Sequence, residues 1–200
     1  MGRFRRSTHA RSEFTEERHR FEHWYRDNTV YFITARTRGG FPAFDSEEAK
    51  LIFWDRFTHW TDYFGFVPWV TTLLFNHYHT LGFLRIGENL GPMMQRIHGS
   101  VAKLVNDVLP ERRAKFWRVE NQNDYFDGCI RHDLQCRRAY RYTHLQAVRA
   151  GLVKRPEDYP HTRVSVELGV GIARAIELRA FLPHVEYARY AKNRRHGTRR

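Results

Sequence analysis

The stretch LLFNHYHTLGF (residues 73–83) places His77 and His79 two positions apart in an apolar run with the composition of a strand. Along a strand, residues i and i+2 project from the same face, so both imidazoles would point together and could grip one divalent cation. Two ligands make an incomplete site. A third donor must come from elsewhere, and the remaining positions stay open to water or a substrate oxygen. The plainer alternative is a pair of histidines on a half-buried strand, since twelve histidines in 200 residues produce such a spacing by chance.

A second set lies in RRAYRYTHLQAVRAG (residues 137–151). On a helix, residues four apart share a face, which joins Tyr142 to Gln146, with Arg138 and Arg149 flanking them. Leu134, Leu145, Val148 and Leu152 form an apolar stripe beside that face, expected to dock the helix and leave Tyr142 at its edge. A phenol is a poor nucleophile at neutral pH, because its pKa lies at about 10. It becomes useful where a metal polarises a phosphate and arginines hold that phosphate in line. Tyr140 and His144 are an equally legal pair on the opposite face, and most helical tyrosines simply pack. Spacing does not choose between the two.

These side chains need a scaffold. TVYFITART (residues 29–37) is rich in β-branched and aromatic residues and predicts a strand, broken by RGGFP. Asp45 and Glu48 have capping-box spacing and open a helix that stops near Gly65. FVPWVTTLLF and HYHTLGFLRI predict two neighbouring strands. Met94, Ile97, Val101, Leu104, Val105 and Val108 recur at helical spacing and mark a second helix. KFWRV and YFDGCI are short strand candidates, and DLQCRRAYRYTHLQAVRAG is a third helix with Gly151 as its C-cap. The order β-α-β-β-α-β, with room for one further strand, and then a helix predicts an α+β fold: a ferredoxin-like split βαβ, an antiparallel sheet with helices on one face, plus a C-terminal helical extension. GVGIAR (residues 169–174) follows no convincing strand and lacks the third glycine of a nucleotide-binding turn.

Charge narrows the partner. Thirty-four basic residues against 22 acidic give a formal net charge of +12, which suits a polyanion, and nucleic acid is the commonest. The basic residues crowd both ends. Arg3, Arg5 and Arg6 open the chain, and Arg194 and Arg195 stand near its close, with no acid in either tract. They read as arms that neutralise phosphates, or as plain solvated ends. Apolar residues at 42% suffice for a packed core and exclude a disordered chain. No segment has the uncharged run that a membrane span needs, and MGRFRRSTHARSEF lacks the apolar core of a secretory signal. With two cysteines, Cys129 and Cys136, suited to reduced thiols, the expectation is a cytoplasmic, nucleoid-associated protein.

The ordered set FNHYHTL, MMQRIHGSVAKLVN, YFDGCIRHD, AYRYTHLQAVRAGLV and PEDYP resembles the REP-associated tyrosine transposases, the single-tyrosine branch of the HUH (His, hydrophobic, His) transposases. The resemblance spans residues 28–162, and order and spacing carry it rather than any one motif. It implies that His77 and His79 bind Mg²⁺ or Mn²⁺, with Tyr78 as the hydrophobic residue between them. It implies that Tyr142, nine residues before Gly151, is the nucleophile and that Gln146, four positions after it, completes the metal site. The activity implied is that of a strand transferase on single-stranded DNA with short palindromic hairpins, leaving a 5′-phosphotyrosine link and working as a monomer or a homodimer. Two positions depart from many relatives: Phe75-Asn76 replaces Pro-Asn before the histidines, and Gln146-Ala147 replaces Asn-Pro after the tyrosine. On this reading residues 1–28 are a basic arm, 29–162 the catalytic domain and 163–200 a helical extension with a basic tail. Two other classes use the same elements: a non-catalytic nucleic-acid-binding module, and a metal-dependent nuclease in which water replaces the tyrosine.

Overall fold

The computed structural model of the chain describes residues 25–119 and 124–181. β1 (Thr29–Arg36) leads through a 3-10 turn (Arg38–Gly40) into α1 (Glu47–Phe64). β2 (Phe66–Leu73) and β3 (His77–Leu84) follow as a hairpin, then α2 (Leu90–Val108) and β4 (Phe126–Cys129). α3 (Asp133–His144), the single turn α4 (Gln146–Arg149), β5 (Thr162–Val164) and α5 (Leu168–Glu177) complete the order. The strands pair antiparallel in the order β4-β1-β3-β2-β5. β1 and β2 therefore run the same way with β3 between them, the split βαβ arrangement that the alternation of elements predicted.

The helix ends show how local chemistry sets these boundaries. α1 is capped by Ser46, whose hydroxyl accepts from the Ala49 N–H at 3.1 Å, and not by Asp45 as the capping-box spacing suggested. Glu47 and Glu48 then lie in the first turn, at the positive end of the helix dipole. Gly65 stops the helix in the left-handed region (φ 71°), which costs glycine nothing. Ser46→Ala should lower stability by about 1 kcal/mol, read as a shifted urea midpoint at unchanged slope.

Strand alternation sends Tyr31, Ile33, Ala35, Tyr78 and Leu84 to one face of the sheet, where Phe53 and Phe57 of α1 and Met94, Ile97 and Val101 of α2 cover them. Val30, Phe32, Trp69, Val70 and Leu81 face the other way and meet Cys136, Ala139 and Tyr140 of α3 and Ile172 and Ala175 of α5. Helices on one face thus describes α1 and α2, while α3 and α5 take the opposite face. Both alternating sets of the central strands are apolar, and a sheet buried on two sides needs cover on both.

Three details differ from the sequence expectation. KFWRV supplies one bridge, Thr37–Trp117, and no strand. The boundary at residue 162 cuts through β5, which pairs with β2 but is only three residues long, too short to leave a periodic signal. GVGIAR is part of α5, and Gly171 is there for packing: a β-carbon would come within 2.8 Å of the Trp69 ring. The arm residues Arg3, Arg5, Arg6, Arg194 and Arg195 lie outside the described residues. Among those described, no helix is long and apolar enough to cross a membrane, and no disulfide joins Cys129 and Cys136.

Candidate active site

Tyr78 is buried among the aromatic side chains of α1, so its neighbours His77 and His79 project from the opposite face of β3. Antiparallel register sets Arg36 of β1 against His77 and Thr34 against His79. α3 docks on that same face through Cys136, Ala139, Tyr140 and Thr143, spaced i, i+3, i+4, i+7. The Thr72 hydroxyl of β2 donates to the Thr143 carbonyl at 2.7 Å, tying the last turn of α3 to the sheet. This docking face replaces the expected leucine stripe. Leu134 is exposed, and the helical run breaks at Leu145 (φ −91°, ψ 7°), so Leu145, Val148 and Leu152 fall beyond the end of α3. Beyond the break, Ala147 is buried in a cluster with Leu74 and Tyr159.

The result is a cleft of about 530 Å³ whose lining includes His77, His79, Tyr142, Gln146 and Arg149, with Arg36 and Arg118 also contributing. The His77 and His79 ring centroids lie 5.1 Å apart. The Tyr142 ring stands edge-on to His79 at 5.1 Å and to Phe32 at 5.9 Å, with the Arg149 guanidinium 4.9 Å from its centroid. The two tyrosines that spacing left equal differ in exposure. Tyr142 is 38% exposed, whereas Tyr140 is 8% exposed, with its hydroxyl donating to the Val166 carbonyl. Arg138 is exposed on α3, one turn before Tyr142, and is not part of the cleft lining.

Both imidazoles are oriented by neighbours. His77 Nδ1 lies 2.6 Å from Asn76 Oδ1, and His79 Nδ1 lies 2.7 Å from Thr34 Oγ1. Asn76 Oδ1 can only accept, so His77 carries its proton on Nδ1 and keeps Nε2 as its electron pair. The Thr34 hydroxyl, which can accept or donate, permits the same tautomer at His79, the arrangement found around metal-bound histidines. Burial pushes His77 down to about 4, helped by the Arg36 charge. His79 is held well below the ordinary imidazole range, first by burial and then by His77, Arg36 and Arg149. At pH 7 both rings are neutral, the form that binds a cation. Gln146 donates its amide nitrogen to the Tyr142 carbonyl at 3.1 Å, and among the described residues no hydrogen bond engages its Oε1. Among those residues no three His, Cys, Asp or Glu side chains cluster, so a third donor beside the two imidazoles would have to be of another kind, and the Gln146 side chain lines the same cleft. Two neutral imidazoles and an amide oxygen fit a divalent cation with open positions, and suit Mn²⁺ better than the harder Mg²⁺.

The buried imidazoles also set the response to acid. An unfolded His77 takes its proton near 6.5 and the folded one only at about 4. Its contribution to stability is therefore whole above pH 6.5 and is lost as the pH falls toward 4. Urea unfolding at pH 7 and pH 5 should differ by about 1–2 kcal/mol from this residue, and His77→Gln should remove that part of the slope.

Sequence reasoning missed Thr34, Arg36 and Arg118. Thr34 and Arg36 reach the site through strand register, which leaves no local mark. Asn76 had a signal in its adjacency to His77.

A ferredoxin-like sheet with a His-x-His strand facing a tyrosine-bearing helix defines the class of site seen here. A solved structure described as the REP-associated tyrosine transposase bound to a REP hairpin has this fold, with a TM-score of 0.56 and 15% identity over 71% of this chain and 80% of that chain. At that identity the likeness is one of fold, and it falls on the family that the motifs resemble. No protein-family model and no curated protein matches the chain.

Proposed function

We propose that this chain is a metal-dependent transposase of the single-tyrosine HUH type, a nickase and strand transferase acting on single-stranded DNA with REP-like palindromic hairpins. One observation carries the reading: a phenol, two neutral imidazoles and an amide side chain converge in one cleft with three arginines. Tyr142 supplies the attacking oxygen. Its Oη–P bond forms as the P–O3′ bond breaks, the phenol proton leaves, and the 3′-oxygen gains one. The 5′-phosphate stays on the tyrosine, so a second 3′-hydroxyl can displace it and rejoin the strand. His77, His79 and Gln146 would hold Mn²⁺ or Mg²⁺, which when bound draws charge from the non-bridging oxygens of the scissile phosphate. Asn76 and Thr34 keep the imidazoles turned, and Arg36 and Arg149 draw the phosphate in and hold it in line. All of these residues come from one chain, so the proposed chemistry needs no second copy.

The test uses labelled single strands bearing a REP-like hairpin, incubated with the protein and Mn²⁺ and separated under denaturing conditions. The expected result is a covalent protein–DNA adduct that disappears on chelation. Cleavage without an adduct would favour the hydrolytic nuclease, and binding without cleavage the non-catalytic module.

A further inference from the structure

A larger groove of about 1130 Å³ lies against α2 and the segment after it. Its lining carries five cations, Arg38, Lys103, Arg112, Arg113 and Lys115, against one acid, Asp124. Arg112 and Arg113 have exposed acidic partners in Asp107 and Glu111, whereas Arg38, Lys103 and Lys115 have no side-chain partner among the described residues. The groove is continuous with the cleft. Asp124 and Tyr125 line both, and a smaller hollow between them holds Arg36, Arg38 and Arg118.

Backbone pairing explains that continuity. Thr37 bridges to Trp117, the Arg38 N–H donates to Phe116 O, and the Arg118 N–H donates to Arg36 O. Thr37 and Trp117 are buried, whereas Arg36, Arg38 and Arg118 are exposed. The result is a short bridged segment whose exposed side is cationic, lying between the groove and the cleft that holds Tyr142. Unpaired strands are usually gripped by exposed aromatic platforms, on which bases stack. Here Phe116 and Trp117 are buried at 5% and 6% exposure, and Tyr25 is the one exposed aromatic in the lining. The groove offers charge for phosphates and few faces for bases.

We infer that this groove, Arg38 included, seats the paired stem of a DNA hairpin through its phosphates, and that Arg36 and Arg118 lead the adjoining single strand to Tyr142. This rests on the proposed function. The test compares the full chain with its Arg38→Gln, Lys103→Gln, Lys115→Gln triple variant. The probes are a stem-loop oligonucleotide with a single-stranded tail, and the tail alone, each titrated at several salt concentrations. For the stem-loop, Kd should rise by roughly tenfold or more at about 0.15 M salt, and the slope of log K against log salt should fall by about 2–3. Binding of the tail alone, and adduct yield at saturating stem-loop, should not change. A charge-keeping variant, Arg38→Lys with Lys103→Arg and Lys115→Arg, should bind like the parent. Unchanged affinity and slope in the triple variant would overturn the inference, as would an equal loss on the tail alone or a parent protein that ignores the stem. Failure of the catalytic reading looks different: no Tyr142-dependent adduct forms, while stem binding still tracks the groove charges.

Discussion

Tyr142→Phe should reduce the yield of covalent protein–DNA adduct by at least about a thousandfold, a barrier increase of roughly 4 kcal/mol. The substitution removes one oxygen and leaves the ring against His79 and Phe32, so DNA affinity should stay within about twofold. Tyr140→Phe is the matched control. Its hydroxyl touches only the Val166 carbonyl among the described residues, so it should cost about 1 kcal/mol of stability and keep the adduct. Quantifying both adducts on one denaturing gel decides the matter. An adduct that survives in Tyr142→Phe, or vanishes only in Tyr140→Phe, removes Tyr142 as the nucleophile.

His79→Gln should abolish measurable Mn²⁺ binding at concentrations that saturate the parent protein, because it removes one of only three proposed donors. The readout is calorimetric titration of the metal alone, which needs no DNA and no turnover. Thr34→Val tests the same site from one step further out. It keeps the shape of the side chain and removes the oxygen 2.7 Å from His79 Nδ1, so Mn²⁺ affinity should weaken about 10–100-fold. If Mn²⁺ binds His79→Gln as it binds the parent, the cation sits elsewhere and the proposed donor set is wrong. If Thr34→Val alone is silent, the ring is oriented by packing against Phe32, with which it stacks at 5.9 Å.

The two expectations draw on different levels of the molecule. That His77 and His79 share a face follows from the two-residue period of a strand, and β3 has that period because its residues alternate between two apolar surfaces. Sequence alone therefore determined the paired imidazoles, the order of elements that makes a split βαβ sheet, and the helix carrying both tyrosines. All of these depend on residues within about four positions of one another, where periodicity and capping act. Spacing did not separate Tyr142 from Tyr140; only the resemblance pointed to Tyr142. Their different exposure was set when Cys136, Ala139, Tyr140 and Thr143 met the second face of the sheet, a docking tied by a hydrogen bond between Thr72 and Thr143, 71 positions apart. Thr34 reaches His79 across 45 positions through the β1–β3 register, and Arg118 reaches the cleft through its pairing with Arg36. Such contacts are settled by which apolar faces can be buried together, a property of the whole core that no local spacing records.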